Sequence, residues 1–188
     1  LALRERVPGL QLLVGHRREA LADLLAGDGN AAEHLRHLEA LAALDPGVSR
    51  HLAVALASAR LGRTDRAVLA LGSANDLAPS EPRLHLALGY VWLLDAERKG
   101  ERASLRKASE ALRHAAAGTQ TSESLGILGR LAHLSGSRNE AARLLDRAVR
   151  VRPVWPEALK YQADTLRALG RTADADTALA GYSALTGR

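Results

Sequence analysis

Residues 27–32 form the first of two segments in this 188-residue chain whose side chains could do chemistry. They read Gly-Asp-Gly-Asn-Ala-Ala, which fits the G-x-G-x-x-A pattern of a dinucleotide-binding turn. Such a turn follows a buried strand and opens a helix, because the pyrophosphate binds at the N-terminus of that helix. Here a helical pattern precedes the glycines and no β-rich segment occurs. We therefore predict a turn between two helices, and no bound cofactor.

The second segment carries four candidate metal ligands just after this turn: Glu33, His34, His37 and Glu39. The histidines lie three residues apart on one face of a predicted helix, and two imidazoles with a carboxylate can hold zinc. No third ligand follows at a diagnostic spacing and no H-E-x-x-H motif is present, so no metal is expected. The sequence also has no cysteine, no G-x-S-x-G elbow and no P-loop. No catalytic residue is predicted, and the protein is expected not to be an enzyme.

The excess of arginine has two explanations, anion binding and a GC-rich genome, of which we prefer the second. The formal net charge is +5, and all but three of the 26 basic residues are arginine. Arginine binds carboxylates and phosphates well, but a GC-rich bacterial genome explains the same bias. Nucleic acid is not the expected partner, because the arginines are interleaved with acidic residues and aromatic residues make up only 3 %.

No membrane span is predicted. The longest nearly uncharged run, Leu84–Leu94, is shorter than the roughly 18 residues that a transmembrane helix needs. A soluble protein is expected, and the lack of cysteine is compatible with the cytoplasm or the periplasm. The absence of an initiating methionine suggests a piece of a longer chain.

An internal repeat organises the sequence. LGRTDRAVLAL at residues 61–71 and LGRTADADTAL at residues 169–179 share seven of eleven positions. The same spacing of Gly, Ala and Leu recurs from Gly136, and a fourth copy carries Ala108 and Leu112. The aligned alanines are 41, 33 and 34 residues apart. A period near 34 with helical patterning is typical of stacked helix–turn–helix repeats.

Each unit also has the residues that begin and end helices. Apolar residues in Val48–Leu61 fall on one helix face. Gly62 suits the left-handed position after a helix, Thr64 is predicted to cap the next helix, and Pro79 stops it. Asn30 is predicted to cap an earlier helix.

The phase of these residues across four units resembles the tetratricopeptide repeat (TPR) family. The resemblance rests on a small residue, an alanine and a large residue that recur at the family's positions 8, 20 and 24. In the four units these are Ala55, Gly89, Gly129 and Ala163; Ala67, Ala108, Ala141 and Ala175; and Leu71, Leu112, Leu145 and Leu179. It implies an all-α, right-handed α-solenoid of about five helix pairs.

The predicted organisation is one solenoid over residues 1–188. Residues 1–45 form a degenerate repeat with helices at Pro8–Ala26 and Ala31–Leu44. Four repeats follow, at 46–80, 81–121, 122–154 and 155–188. The second contains an insertion near 95–103, which either lengthens the helices or projects as a charged loop. It is interpreted as a solvated extension, with a partner-specific contact as the alternative.

The resemblance further implies a concave groove lined by the first helix of each repeat. The polar and aromatic residues that it places there are Arg60, Arg83, Tyr90, Glu123, Arg130, His133, Glu157, Lys160, Tyr161, Asp164 and Arg167. This face is expected to be mainly basic, with the two tyrosines as anchors for a partner. The asparagine with which some family members clamp a C-terminal carboxylate is missing, so that mode is not predicted.

The function predicted from these features is a non-catalytic scaffold that binds an acidic or amphipathic peptide in the groove. Three alternatives remain open. The chain could self-associate, it could be an internal spacer, or it could be a regulatory or recruiting segment of a larger enzyme or of a secretion or envelope-assembly protein.

Overall fold

The computed structural model describes residues 30–115 and 120–187. Within those ranges it contains nine α-helices and no strand, which confirms the all-α prediction. The predicted helix Pro8–Ala26 and residues 27–29 of the glycine-rich turn lie outside the described residues. The helices are α1 (Ala31–Leu44), α2 (Val48–Arg60), α3 (Thr64–Leu77), α4 (Pro82–Lys99), α5 (Arg102–Ala115), α6 (Ser122–Leu134), α7 (Arg138–Ala148), α8 (Pro156–Ala168) and α9 (Thr172–Thr186).

The same short turn joins α2 to α3, α6 to α7 and α8 to α9. At its centre Gly62, Gly136 and Gly170 have φ angles of 76°, 88° and 77°, a conformation that costs glycine little because it has no Cβ. The amide of each glycine donates to the carbonyl three residues earlier, as from Gly62 to Ala59 at 2.9 Å. The prediction for Gly62 is confirmed, and each turn lets two helices pack against each other.

Close packing within the pairs depends on the small residues predicted from the repeat. A Cβ built on Gly129 would lie 2.6 Å from Cγ of Leu145, and one on Gly89 would lie 2.5 Å from Cγ of Leu112. Both leucines are buried. The residues aligned at positions 8 and 24 therefore contact each other inside their own helix pair, as that alignment requires.

The chain divides into two compact units, residues 1–87 and 88–188, with the boundary inside α4. In the described part of the first unit, α2 packs against both α1 and α3. The buried residues of this unit include Leu35, Ala55 and Leu71. In the second unit α8 packs against α6, α7 and α9, so its first helices lie side by side.

The insertion near 95–103 lengthens α4 and does not project as a loop. The helix has 18 residues, five more than α6 or α8, and α5 begins only three positions after it ends. Asp95, in the added turn, is 1 % exposed and accepts a hydrogen bond from Ser104 Oγ at 2.6 Å. The interpretation of a solvated extension is therefore wrong for Asp95, which joins α4 to α5, whereas residues 98–103 are exposed.

Two predicted helix caps have different outcomes. Asn30 Oδ1 accepts a hydrogen bond from the amide of Glu33 at 3.3 Å, which confirms it as the cap of α1. Thr64 is not the cap of α3. Arg63 occupies that position, because its carbonyl already accepts from the amide of Ala67 at 3.0 Å, and Thr64 lies buried in the first turn.

Candidate partner-binding face on the first helices

The candidate face is built around Trp155, which precedes α8. Its ring lies 5.7 Å from the ring of Tyr90 and 5.7 Å from the ring of Tyr161, edge-on to both. A Cβ on Gly126 of α6 would be 2.8 Å from this indole, so glycine makes room for it. The amide of Trp155 donates to Ser122 Oγ at 2.9 Å. One residue thus connects α4, α6 and α8 within the second unit.

The two tyrosines belong to the core of this cluster. Tyr90 is 4 % exposed and Tyr161 is 6 % exposed. Burial, together with the neighbouring Tyr90, raises the pKa of the Tyr161 phenol far above its ordinary value. The expectation that both rings offer open contact area to a partner is wrong, because packing against Trp155 covers them.

Arg130 is held by two carboxylates from neighbouring first helices. Its Nε donates to Glu97 of α4, and its Nη1 donates to Asp164 of α8 at 3.1 Å. The guanidinium also lies 4.9 Å from the centre of the Tyr161 ring. The side chain is only 15 % exposed. Two negative charges surround this one positive charge, so Arg130 does not make the face basic.

His133, one turn beyond Arg130, contacts α8 through Thr165. Thr165 Oγ1 lies 2.9 Å from the carbonyl oxygen of Tyr161 and 2.9 Å from His133 Nδ1. In the tautomer that satisfies both contacts, the hydroxyl donates to the carbonyl and the imidazole donates from Nδ1. Burial lowers the pKa of His133, and the adjacent Arg130 lowers it further. The neutral imidazole is favoured.

Lys160 and Arg167 are the exposed cations on α8. Arg167 Nη2 lies 3.1 Å from Asp176 Oδ1 of α9, and both side chains are largely exposed. Lys160 has no ion-pair or hydrogen-bond partner among residues 30–115 and 120–187. These two side chains remain accessible to an anionic partner.

The other two predicted site residues, Arg60 and Arg83, belong to the first unit. Arg60 is exposed at the end of α2. Arg83 Nε lies 2.8 Å from Glu81 Oε1, and the hydrogen bond from the Arg83 side chain is the main reason that the pKa of Glu81 is lowered. The remaining seven predicted site residues lie in the second unit.

Positive charge in the second unit lies mainly on α5 and on α7 with the residues that follow it. Formal charges on α6 and α8 cancel: one residue of each sign in α6 and two of each sign in α8. By contrast, α5 has four basic residues and one acidic residue, and residues 138–152 have five basic and two acidic. The first helices α6 and α8 therefore do not form a mainly basic face.

The candidate metal ligands of α1 do not converge. His37 Nε2 lies 4.0 Å from Glu33 Oε1, while Glu39 binds Arg66 of α3. In the ranges that the structure describes, no three His, Asp or Glu side chains come together as a metal site would need. Over the same ranges, none of the helices has both the length and the apolar character to cross a bilayer.

Comparison with protein-family models finds no match. No curated protein matches the chain either. Solved structures do match. TTC0263, a TPR protein of Thermus thermophilus, superposes with a TM-score of 0.76 at 18 % identity, over 90 % of each chain. The chain has the tetratricopeptide-repeat fold.

Two other solved TPR-fold structures support this assignment. PilW, a type IV pilus biogenesis factor, has a TM-score of 0.64 at 20 % identity over 91 % of this chain and 77 % of its own. PilF of Pseudomonas aeruginosa has a TM-score of 0.61 at 16 % identity over 92 % and 77 %. At these identities the likeness concerns the TPR fold alone.

Sequence reasoning missed three members of the candidate face: Trp155, Glu97 and Thr165. Trp155 was detectable in principle, since it is one of only two tryptophans and directly precedes the proline that begins α8. Glu97 lies in the insertion, where alignment to the TPR repeat fails. Thr165 is buried on α8, and no sequence pattern marks its hydrogen bonds to another helix.

Proposed function

We propose that this chain is a non-catalytic scaffold that binds a protein partner. Its face on α6 and α8 takes an acidic, amphipathic helix. The observation that carries the proposal is the accessible pair Lys160 and Arg167, seven residues apart on α8. Seven residues are close to two helical turns, so both side chains lie on one face, roughly 10.5 Å apart along the axis. A partner helix with acidic residues seven positions apart matches this spacing.

The charges around Lys160 and Arg167 support these two residues as the contact to a partner. Arg130 is fully engaged with Glu97 and Asp164, so it holds the first helices together and is not available to a ligand. The pair between Arg167 and Asp176 is exposed, and such pairs contribute only about 0–1 kcal/mol. A partner carboxylate can therefore displace Asp176 at little cost.

Preorganisation favours binding to this face. Arg130, Tyr161 and Thr165 are fixed by contacts between helices before any partner arrives. A rigid face loses little conformational entropy on association, so more of the contact energy appears as affinity.

The test compares two double variants. Lys160→Glu with Arg167→Glu reverses the exposed cations of the face, and Arg102→Glu with Arg106→Glu makes the same charge change on α5. Charge reversal at Arg130 is unsuitable, because it would place a third carboxylate beside Glu97 and Asp164. Helical peptides would be selected by display on the native protein, and their affinities measured at two salt concentrations.

We expect the selected peptides to have acidic residues seven positions apart. Their affinity for the α8 variant should be at least tenfold lower than for the native protein, and most of their affinity should remain for the α5 variant. Both variants should keep native helicity. Equal binding to both variants, or no enrichment of acidic residues, would contradict the proposal.

Self-association is a second candidate, favoured by exposed leucines. Leu69 and Leu77 of α3 are 73 % and 50 % exposed, and Leu185 of α9 is 55 % exposed. Sedimentation equilibrium over a hundredfold concentration range tests this directly. A mass that rises with concentration in the native protein, and not in Leu69→Ser with Leu77→Ser, would support assembly through α3.

A further inference from the structure

A furrow between α7 and α9 forms a second candidate site in the second unit. It is open to solvent, and its volume of about 590 Å³ is in the range of sites that bind small ligands. α7 and α9 form its walls, and α8 forms its floor through Leu159, Gln162 and Leu166. At 100° per residue these three positions lie on a different side of α8 from Lys160 and Arg167. The furrow is therefore separate from the proposed partner-binding face.

The charges along the furrow leave one cation uncompensated. On the α7 side Arg150 pairs with Asp146 at 2.9 Å, and on the α9 side Arg171 pairs with Asp174 at 2.7 Å. Arg143 also lines the furrow and is exposed. It has no ion pair or hydrogen bond to any other residue that the structure describes. A guanidinium beside two satisfied ion pairs offers one binding position for an anion.

Apart from Gln162, the floor below these charges is aliphatic. Leu159 is partly exposed there, and beside it Leu166 and Ala178 are 5 % and 6 % exposed. An ion alone would leave this floor uncovered. A ligand that fits both parts has a carboxylate for Arg143 and an aliphatic group for the floor.

We infer that the furrow binds an extended peptide segment with an acidic residue and an aliphatic residue two positions apart. In an extended strand such residues lie on the same side, about 6.8 Å from each other. The carboxylate forms a bidentate hydrogen bond with Arg143, a geometry that guanidinium groups favour. The aliphatic side chain contacts Leu159, the partly exposed leucine of the floor. This inference does not depend on the proposed function of the α6 and α8 face.

The probe is the capped peptide acetyl-Ser-Leu-Ser-Glu-Ser-amide, titrated into the whole chain labelled with ¹⁵N. Caps on both ends remove the terminal charges. The expected result is saturable shifts at Arg143, Gln162 and Thr177. Arg143→Glu should weaken binding at least tenfold. Arg138→Glu, which reverses an arginine of the same helix outside the furrow, should bind the peptide within a factor of two of the native protein.

Two further peptides test the chemistry. Replacing the glutamate by glutamine should weaken binding at least tenfold, and replacing the leucine by serine should weaken it at least threefold. Shifts that are absent from the furrow, or unchanged by Arg143→Glu in a folded variant, would overturn the inference. The inference would also be overturned if inorganic phosphate shifted the signals of these residues and the peptide with serine in place of leucine bound like the original peptide.

The double variant Lys160→Glu with Arg167→Glu separates the two sites. It should retain the furrow shifts even where it loses the helical peptides. Loss of both kinds of binding together would overturn the claim of a separate site.

Discussion

At the scale of single residues, side-chain type alone gave a misleading account of the candidate face. Arg130 counted as a basic groove residue in the sequence, yet it lies between Glu97 and Asp164. Tyr90 and Tyr161 counted as open anchors, yet both rings are core. Glu97 and Asp164 lie 33 and 34 residues from Arg130, and Trp155 lies 65 residues from Tyr90, so no local pattern connects these partners. Trp155 is six residues from Tyr161, but it precedes α8 while Tyr161 lies within it.

Gly129 is expected to tolerate no larger residue. In Gly129→Ala the new Cβ would overlap Leu145, so we expect the free energy of unfolding to fall by about 1–3 kcal/mol. Gly72→Ala in α3 is the matched control, because a Cβ there meets nothing within 4 Å. The free energy of unfolding of this control should rise by about 0.5–1 kcal/mol. Urea unfolding of both variants measures the difference, and equal changes would contradict the close contact.

His133 is expected to make stability depend on pH. Its pKa in the folded protein lies below the ordinary value of 6.5, so between the two values the unfolded chain binds more protons. Stability should therefore fall as the pH falls below 6.5, and become level again below the lowered pKa. In His133→Asn this contribution should vanish.

Urea unfolding at closely spaced pH values from 8 to 5 measures this effect. The difference between the native protein and His133→Asn isolates His133, since the other six histidines and all carboxylates are common to both. A difference that does not change with pH would show that His133 titrates normally.

At the scale of helices, the periodicity of apolar residues predicted well which helices form and where they begin and end. The expected helix Ala31–Leu44 matches α1, and α2 begins at Val48 as expected. Apolar spacing and the positive φ of Gly62 are local properties, which is why sequence captures them. The end of α4 was not predictable in the same way, because Asp95, a charged residue, is buried there by a contact with α5.

The contact between Asp95 and Ser104 is expected to stabilise the junction of α4 and α5. Asp95→Ala removes the acceptor of a hydroxyl that is only 3 % exposed, and a buried group left unsatisfied costs about 1–3 kcal/mol. Lys99→Ala is the comparison, because the lysine end of its pair with Asp95 is 49 % exposed and Asp95 keeps its hydrogen bond from Ser104, so the loss should be smaller. Thermal unfolding compares the two, and a larger loss in Lys99→Ala would refute this account.

At the scale of the whole molecule, the repeat phase was sufficient to predict the TPR fold. Its evidence is spread over four copies, so no single departure obscures it. The distribution of charge could not be predicted with equal success. Formal charge summed over the chain is +5, but the side of each repeat that carries it depends on which helix each arginine occupies.

Residues 80–188 are expected to fold without the rest of the chain. They contain α4 to α9, which are three helix pairs, and stacked repeats generally need about three to bury a continuous core. The cluster of Tyr90, Trp155 and Tyr161 lies entirely inside this fragment. Circular dichroism should show helical content and one cooperative melting transition. A broad, non-cooperative loss of signal would contradict the expectation.

Trp155 limits how modular this array is. Solenoids are usually treated as one-dimensional lattices in which each repeat interacts only with its nearest neighbours. Here the indole touches Tyr90, which belongs to the repeat two places earlier. The folding free energy of the second unit thus includes a contact between two repeats that are not adjacent. Its three repeats are therefore not interchangeable. Duplicating the middle repeat would separate this pair even if every helix in it were ideal.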